Sequence, residues 1–264
     1  MDLKMVACDL DKTLMDGVPI QPRIVEFMVK LRSIGIRLVI NSGRRLNDIL
    51  EILFESKIPC PEGYPEAIIS DQGVCIHYLK GNNYVEDEEW NQEKRKEMEI
   101  LSQEIGWKSK LWEKIIEEKL KLQPVKKEID QGVFRVFFKD ETDAEKAREF
   151  LVKDGSFKYT VFLRNRRLLL ATLATAQKGR SLLRVAEHFN ISPEEVVAIG
   201  DSNNDEDMLD GKYGFIPAAP SNAEEEIKSL VKEKNGYVAS LPEGDGVVEI
   251  VNHFLAKTGK SIIV

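Results

Sequence analysis

The chain has 264 residues, 42% hydrophobic and 31% charged, enough apolar material for one large domain or two modest ones. Its 38 basic and 45 acidic residues give a formal charge of −7, which argues against nucleic acid or an anionic membrane as the main partner. No apolar run approaches the ~18 residues of a membrane span, the opening Met1–Val6 lacks a signal-peptide pattern, and Cys8, Cys60 and Cys75 read as buried free thiols, so a cytoplasmic location is expected.

The first predicted strand is Lys4-Met5-Val6-Ala7-Cys8, running into Asp9. A helix follows over 22–34, with Ile24, Phe27, Met28 and Leu31 on one face. A second strand, 35–40, runs into Asn41-Ser42-Gly43, and a second helix over 45–55 aligns Leu46, Ile49, Leu50 and Leu53. Late in the chain a helix over 178–189 feeds a strand, Glu195–Ile199, that ends at Gly200-Asp201. Each strand is a short, β-branched apolar run closed by small or acidic residues, as expected where both faces of a parallel sheet are covered. Alternation with helices predicts an α/β fold: a Rossmann-like, doubly wound core.

The middle of the chain reads differently. Residues 80–128 are charge-dense, with helical stretches carrying Trp90, Trp107 and Trp112, all expected in amphipathic-helix cores. A strand at 133–138, a helix over 143–153 and strands at 159–163 and 167–171 follow, the last two joined at Arg164-Asn165-Arg166. This predicts an α+β insert over 80–175, flanked by core pieces 1–79 and 176–264. Arg164, Arg166 and Arg167 are expected to be solvated, and His77, His188 and His253 form no metal set.

Ligands on open α/β sheets bind beyond the carboxyl ends of the strands, so Asp9, Ser42 and Asp201 are expected to converge on one crevice, within reach of Lys178. Two carboxylates, a hydroxyl and an amine at one place suit a divalent cation with a phosphate. Asp9 and Asp11, at i and i+2 on extended backbone, point the same way, so one can attack while the other moves protons. Asp-x-Asp after a strand is also ordinary turn chemistry. Asp201 and Asp205 at a loop-to-helix junction suit Mg²⁺, against the alternative of helix capping by Ser202 or an asparagine. Ser42 can bond a phosphate oxygen at a helix start, or simply cap that helix.

In order, Asp9-x-Asp11-x-Thr13, Ser42-Gly43-Arg44, Lys178-Gly179 and Gly200-Asp201-x-x-Asn204-Asp205 resemble the four motifs of the haloacid dehalogenase superfamily. The insert resembles its type II cap, near the Cof-like and sucrose-phosphatase-like phosphatases. Ser70–Gly73, Ser221-Asn222-Ala223 and Gly244-Asp245-Gly246 resemble accompanying segments. The resemblance implies a Mg²⁺-dependent phosphatase of a small phosphorylated metabolite, either a sugar or polyol phosphate or phosphoglycolate. It also implies a cap closing as a lid, here with hinges near 79–82 and 173–177.

By the same resemblance Asp9 is the nucleophile and Asp11 the general acid/base, with Lys178 completing the catalytic set. Asp9, Asp11, Thr13, Ser42, Gly43, Lys178 and Asn204 would surround the phosphoryl group. Asp9, Asp11 through its main-chain carbonyl, Asp201 and Asp205 would form the metal site, Asp205 chiefly as an orienter. A phosphomutase of the same superfamily, or a catalytically silent binding protein, is the competing reading. Two departures stand out: Lys12 where glycine is usual, and the proline-rich Ile216–Pro220, which is expected to reshape one wall of the site.

Overall fold

The apolar runs become the middle strands of a large sheet, because a strand with no polar alternation is stable only when covered on both faces. The computed structural model describes residues 2–130, 132–154, 158–256 and 261–262. In chain order the elements are β1 (Met5–Cys8), α1 (Pro22–Ser33), β2 (Arg37–Asn41), α2 (Leu46–Glu55), β3 (Ala67–Ser70), β4 (Cys75–Lys80), β5 (Asn83–Glu86) and α3 (Glu88–Lys114). There follow β6 (Lys126–Asp130), β7 (Val133–Phe137), α4 (Glu141–Asp154), β8 (Thr160–Asn165) and β9 (Leu168–Leu173). The last are α5 (Lys178–His188), β10 (Val196–Ile199), α6 (Glu206–Leu209), β11 (Ile216–Ala219), α7 (Glu225–Glu233), β12 (Tyr237–Val238) and α8 (Glu243–Ala256). Among the described residues no helix is long and apolar enough to cross a membrane.

The chain divides into two units. The first holds the chain up to Asn91, Gln177–Asp201 and everything from Asp205 onward. Its eight-stranded sheet has the order β12-β11-β10-β1-β2-β3-β4-β5. The six strands from β12 to β3 are parallel and the last two antiparallel. On one face Val6, Cys8, Leu38, Ile40, Val197 and Ile199 pack in a single cluster with Phe27 and Leu31 of α1 and Ile250 and Val251 of α8. Alternation sends the fully buried Met5, Ala7, Val39 and Ala198 to the other face, where α5 contacts β3 and α6 contacts β10. Sequence order reverses between β10 and β1, so Asp201 and Asp9 leave adjacent strands at the switch point of the sheet.

The second unit comprises Gln92–Ala176 with Ser202–Asn204. Its antiparallel sheet runs β6-β7-β9-β8. Trp112 of α3 meets Phe134 and Phe162 edge-on, with ring centroids 5.0 and 4.9 Å away.

Several elements differ from the sequence expectation. Residues 75–86 form a hairpin that extends the large sheet, so the chain enters the second unit near Gln92 rather than near 80. The signal for this hairpin is the two-residue turn Gly81-Asn82, with Gly81 at φ +61°. The Ile216–Pro220 stretch is largely strand β11; pairing with β12 begins at Ala218, one residue beyond Pro217. Trp107 is 76% exposed, unlike buried Trp90 and Trp112. Arg164 is buried rather than solvated, its Nε donating to Glu145 Oε2 at 2.7 Å. Only Cys8 is fully buried; Cys60 and Cys75 are half-buried, and none of the three is in a disulfide.

Asp87, one of the charge-dense residues, joins three elements of the first unit. It accepts from Trp90 N (3.2 Å) at the start of α3, from Tyr78 Oη (3.1 Å) on β4, and from Arg184 Nε (2.9 Å) and Nη2 (3.1 Å) on α5. Burial alone would raise its proton affinity, but the Arg184 fork and the Trp90 amide outweigh that and hold the carboxyl below its usual range. A depressed folded-state value contributes stability above the ordinary carboxylate range and loses it as pH falls through the folded value. Asp87→Asn should therefore cost about 1–3 kcal/mol at pH 7. In denaturant unfolding the gap from the native chain should close on acidification below about pH 4; a gap independent of pH would contradict this role.

Candidate active site

The site assembles at the carboxyl ends of β1, β2 and β10 in the first unit. Lys178, the first residue of α5, turns its side chain inward and donates to Asp9 Oδ1 and to Asp205 Oδ1, each at 2.6 Å. All three side chains are buried. Asp205 spends its other oxygen on the Asp201 amide, with Oδ2 accepting at 3.0 Å. The carboxylates of Asp9, Asp201 and Asp205 each bring an oxygen within 4.8 Å of the others. Gly200 makes this fold-back possible, because a Cβ there would lie 2.4 Å from the Cβ of Asp205.

The electrostatics follow from burial. Desolvation first, then the Asp205 and Asp201 charges, push the Asp9 carboxyl well above the usual range, although Lys178 pulls it down. Burial would likewise lower the Lys178 ammonium, but Asp205 and Asp9 outweigh it and keep the lysine charged. Three buried carboxylates against one ammonium leave a formal deficit of two positive charges when all are ionised. That deficit and the all-oxygen donor set fit one hard divalent cation.

The remaining predicted residues take distinct positions. Thr13 is fully buried and donates from Oγ1 to Asp201 Oδ1 at 3.1 Å, so its hydroxyl braces that carboxylate. Ser42 is buried at the end of β2, its Oγ accepting from Arg44 N at 3.2 Å, with Gly43 between them. Asp11 lies nearer the surface, held by Arg44. Asn204 is buried in the loop after Asp201, its Oδ1 accepting from Ser202 at 2.5 Å; it groups by contacts with the second unit.

Two supporting residues escaped the sequence reading. Asn41 donates from Nδ2 to the Lys178 carbonyl at 2.9 Å, fixing the start of α5 against the end of β2. Asp207 Oδ2 accepts from Gly179 N (2.8 Å) and Arg180 N (3.1 Å), capping the same helix from outside its own sequence. Neither contact has a local sequence signature, since the partners lie 137 and 27 to 28 residues apart.

Residues 2–255 match the family model described as sucrose-6F-phosphate phosphohydrolase. A phosphoglycolate phosphatase of Methanospirillum hungatei is 36% identical over 88 residues, covering 32% of this chain and 35% of the relative. The chain thus spans about a third of the length of that relative and of its counterparts in Methanopyrus kandleri and Picrophilus torridus. A mannosylfructose-phosphate phosphatase of Agrobacterium fabrum is 26% identical, with 96% of this chain and 97% of the relative covered. Among solved structures, the sucrose-phosphatase of Synechocystis sp. PCC6803 superposes with a TM-score of 0.68 at 16% identity, covering 96% of this chain and 98% of that one.

The backbone at Lys12, where the resemblance leads one to expect glycine, has a conformation that suits glycine. Lys12 sits at φ +61°, in the left-handed region that glycine adopts without penalty. Its side chain pairs with Asp16 and, at 3.8 Å, with Glu243. Left-handed backbone costs a lysine roughly 1–2 kcal/mol, while such exposed pairs return about 0–1 kcal/mol. Lys12→Gly should raise the unfolding free energy by about 0.5–1 kcal/mol. Thermal unfolding of the two proteins checks this, and a lower midpoint in the glycine variant would refute it.

Proposed function

The chain belongs to the sucrose-6F-phosphate phosphohydrolase family, of the haloacid dehalogenase superfamily, and on that premise we propose that it is a Mg²⁺-dependent phosphatase of a small phosphomonoester. The observation that carries this reading is the buried Lys178 ammonium shared between Asp9 and Asp205, with Asp201 alongside. A carboxylate is a competent phosphoryl acceptor where adjacent positive charge offsets the charge on the transferring group.

In this mechanism Asp9 Oδ2, which has no hydrogen-bond partner among the described residues, attacks phosphorus in line with the ester oxygen. The P–O ester bond breaks as the Asp9–phosphate bond forms, and Asp11 gives its proton to the departing alcohol. Asp11 then takes a proton from the water that cleaves the aspartyl-phosphate, which releases inorganic phosphate and restores both groups. Lys178, Ser42 and the Gly43 amide bind phosphoryl oxygens, and Asn204, in the loop after Asp201, is assigned to the same group. Asp9, the Asp11 carbonyl and Asp201 would hold the cation, which when bound draws charge from the phosphoryl oxygens. Asp205, with both oxygens engaged, orients Lys178 and the Asp201 backbone. The relatives named for phosphoglycolate and mannosylfructose-phosphate support a sugar phosphate or phosphoglycolate as substrate, with a polyol phosphate as the third class to test.

Phosphate release from a panel of these esters and an aryl phosphate, with Mg²⁺ or EDTA, tests the reading. Turnover should require the metal, fall more than about 10³-fold in Asp9→Asn and about 10–100-fold in Asp205→Asn, which disturbs only the orientation of Lys178 and Asp201. Isomerised product without phosphate release would point to a mutase. An Asp9→Asn protein as active as the native one would remove the aspartyl-phosphate from the mechanism.

A further inference from the structure

Arg44 makes a two-pronged contact with Asp11: Nε donates to Oδ2 at 2.8 Å and Nη2 to Oδ1 at 2.7 Å. The partners are 40% and 42% exposed, and an ion pair so wet contributes little stability. What the fork supplies is direction, since two parallel bonds fix the plane of the carboxyl group as one bond cannot.

The Arg44 backbone is itself held by a neighbouring turn. Asp71 N donates to Arg44 O at 2.9 Å and Gln72 N to Ser42 O at 3.3 Å. That turn carries three successive positive φ angles, +54° at Asp71, +59° at Gln72 and +95° at Gly73. Non-glycine residues in this region are strained and persist only where the surroundings impose the conformation. The fit is close as well: a Cβ on Gly43 would meet Gln72 Nε2 at 2.2 Å. The strained turn thus grips the Ser42–Arg44 loop from behind, and the loop aims the guanidinium at Asp11.

We propose that Arg44, braced by the Asp71–Gly73 turn, is the positioning residue of Asp11. The fork sets the plane of the carboxyl group; when Asp11 exchanges its proton with the ester oxygen, one of the two bonds opens and the other keeps the group aimed. This rests on the phosphatase reading, with Asp11 as the proton donor. If Arg44 acts through Asp11, its loss matters in proportion to how much the leaving group needs a proton. An alkoxide leaving from a sugar or glycerol phosphate needs one; a nitrophenolate does not.

The experiment measures kcat/KM, which reports the steps through phosphoryl transfer to Asp9, for glycerol phosphate and p-nitrophenyl phosphate. It compares the native enzyme, Arg44→Ala, Arg44→Lys, Asp11→Asn and the Arg44→Ala/Asp11→Asn double variant. Arg44→Ala should lower the alkyl-ester value about 10–100-fold and the aryl-ester value by no more than about threefold. Arg44→Lys, which keeps the charge without the fork, should fall between native and alanine on the alkyl ester. In the Asp11→Asn background the alanine substitution should have no further effect. Equal losses on both esters, or additive losses in the double variant, overturn the proposal while leaving the phosphatase reading standing. A native enzyme that turns over neither these two esters nor any other ester of the panel above overturns both.

Discussion

The arrangement of the site hangs on one buried ammonium. Lys178 Nζ lies 2.6 Å from carboxylates contributed by Asp9 and Asp205, residues 169 and 27 positions away in the chain. Removing it would leave an uncompensated cluster of acids in the interior, a change that typically costs 3–5 kcal/mol. The cluster is already short of positive charge, so the site works against folding rather than for it. Such a patch persists only where the surrounding structure is stable enough to carry it. The surrounding structure here is a parallel sheet whose central strands are entirely buried.

That sheet does more than supply stability. Strands β1 and β10 pair in register, Cys8 opposite Ile199, so the residues that follow leave the sheet side by side. From there the polar contacts are nested. Thr13 braces Asp201, Asp205 folds back onto the Asp201 amide, Asp207 caps α5, and Asn41 ties that helix to β2. Each side chain facing the crevice is thus held by another whose own position is set by the core, as preorganised electrostatic catalysis demands. Asp11 lies at the half-exposed edge, where the Arg44 fork holds it.

How much of this was legible in sequence depends on whether the cause was local. The runs at Met5–Cys8, Arg37–Asn41 and Val196–Ile199 could be read because full burial on both faces demands unbroken apolar residues. Their ends could be read because small and acidic residues stop a strand abruptly, and Asp9, Ser42 and Asp201 lie at those ends. The hairpin at 75–86 was missed because β4 (Cys75–Lys80) mixes polar His77 and Lys80 into an apolar run and β5 (Asn83–Glu86) is only four residues long and half polar, although Gly81-Asn82 announced the turn. Arg164 and Trp107 were misplaced for the same underlying reason. Burial of an arginine depends on Glu145 across the fold, and exposure of a tryptophan on what covers its helix face; neither is encoded within a turn or two of the residue. Asn41 and Asp207 act through backbone groups, which carry no side-chain signature at all.

The left-handed residues around the crevice bring these threads together. Lys12, Asp71 and Gln72 each adopt a conformation that glycine would take more cheaply. Each is pinned by backbone hydrogen bonds to a different segment. Lys12 N donates to Met15 O and its carbonyl accepts from Asn222 Nδ2 at 2.7 Å, while Asn222 Oδ1 takes the Glu243 amide at 2.8 Å. Asp71 and Gln72 are bound to the Ser42–Arg44 loop. Strain of this kind is tolerated when several contacts must break together before it can relax. The two strained turns flank Asp11, one through its chain neighbour Lys12 and the other through Arg44. The most exposed carboxyl group at this site is therefore held on one side by pinned backbone and on the other by a pinned partner.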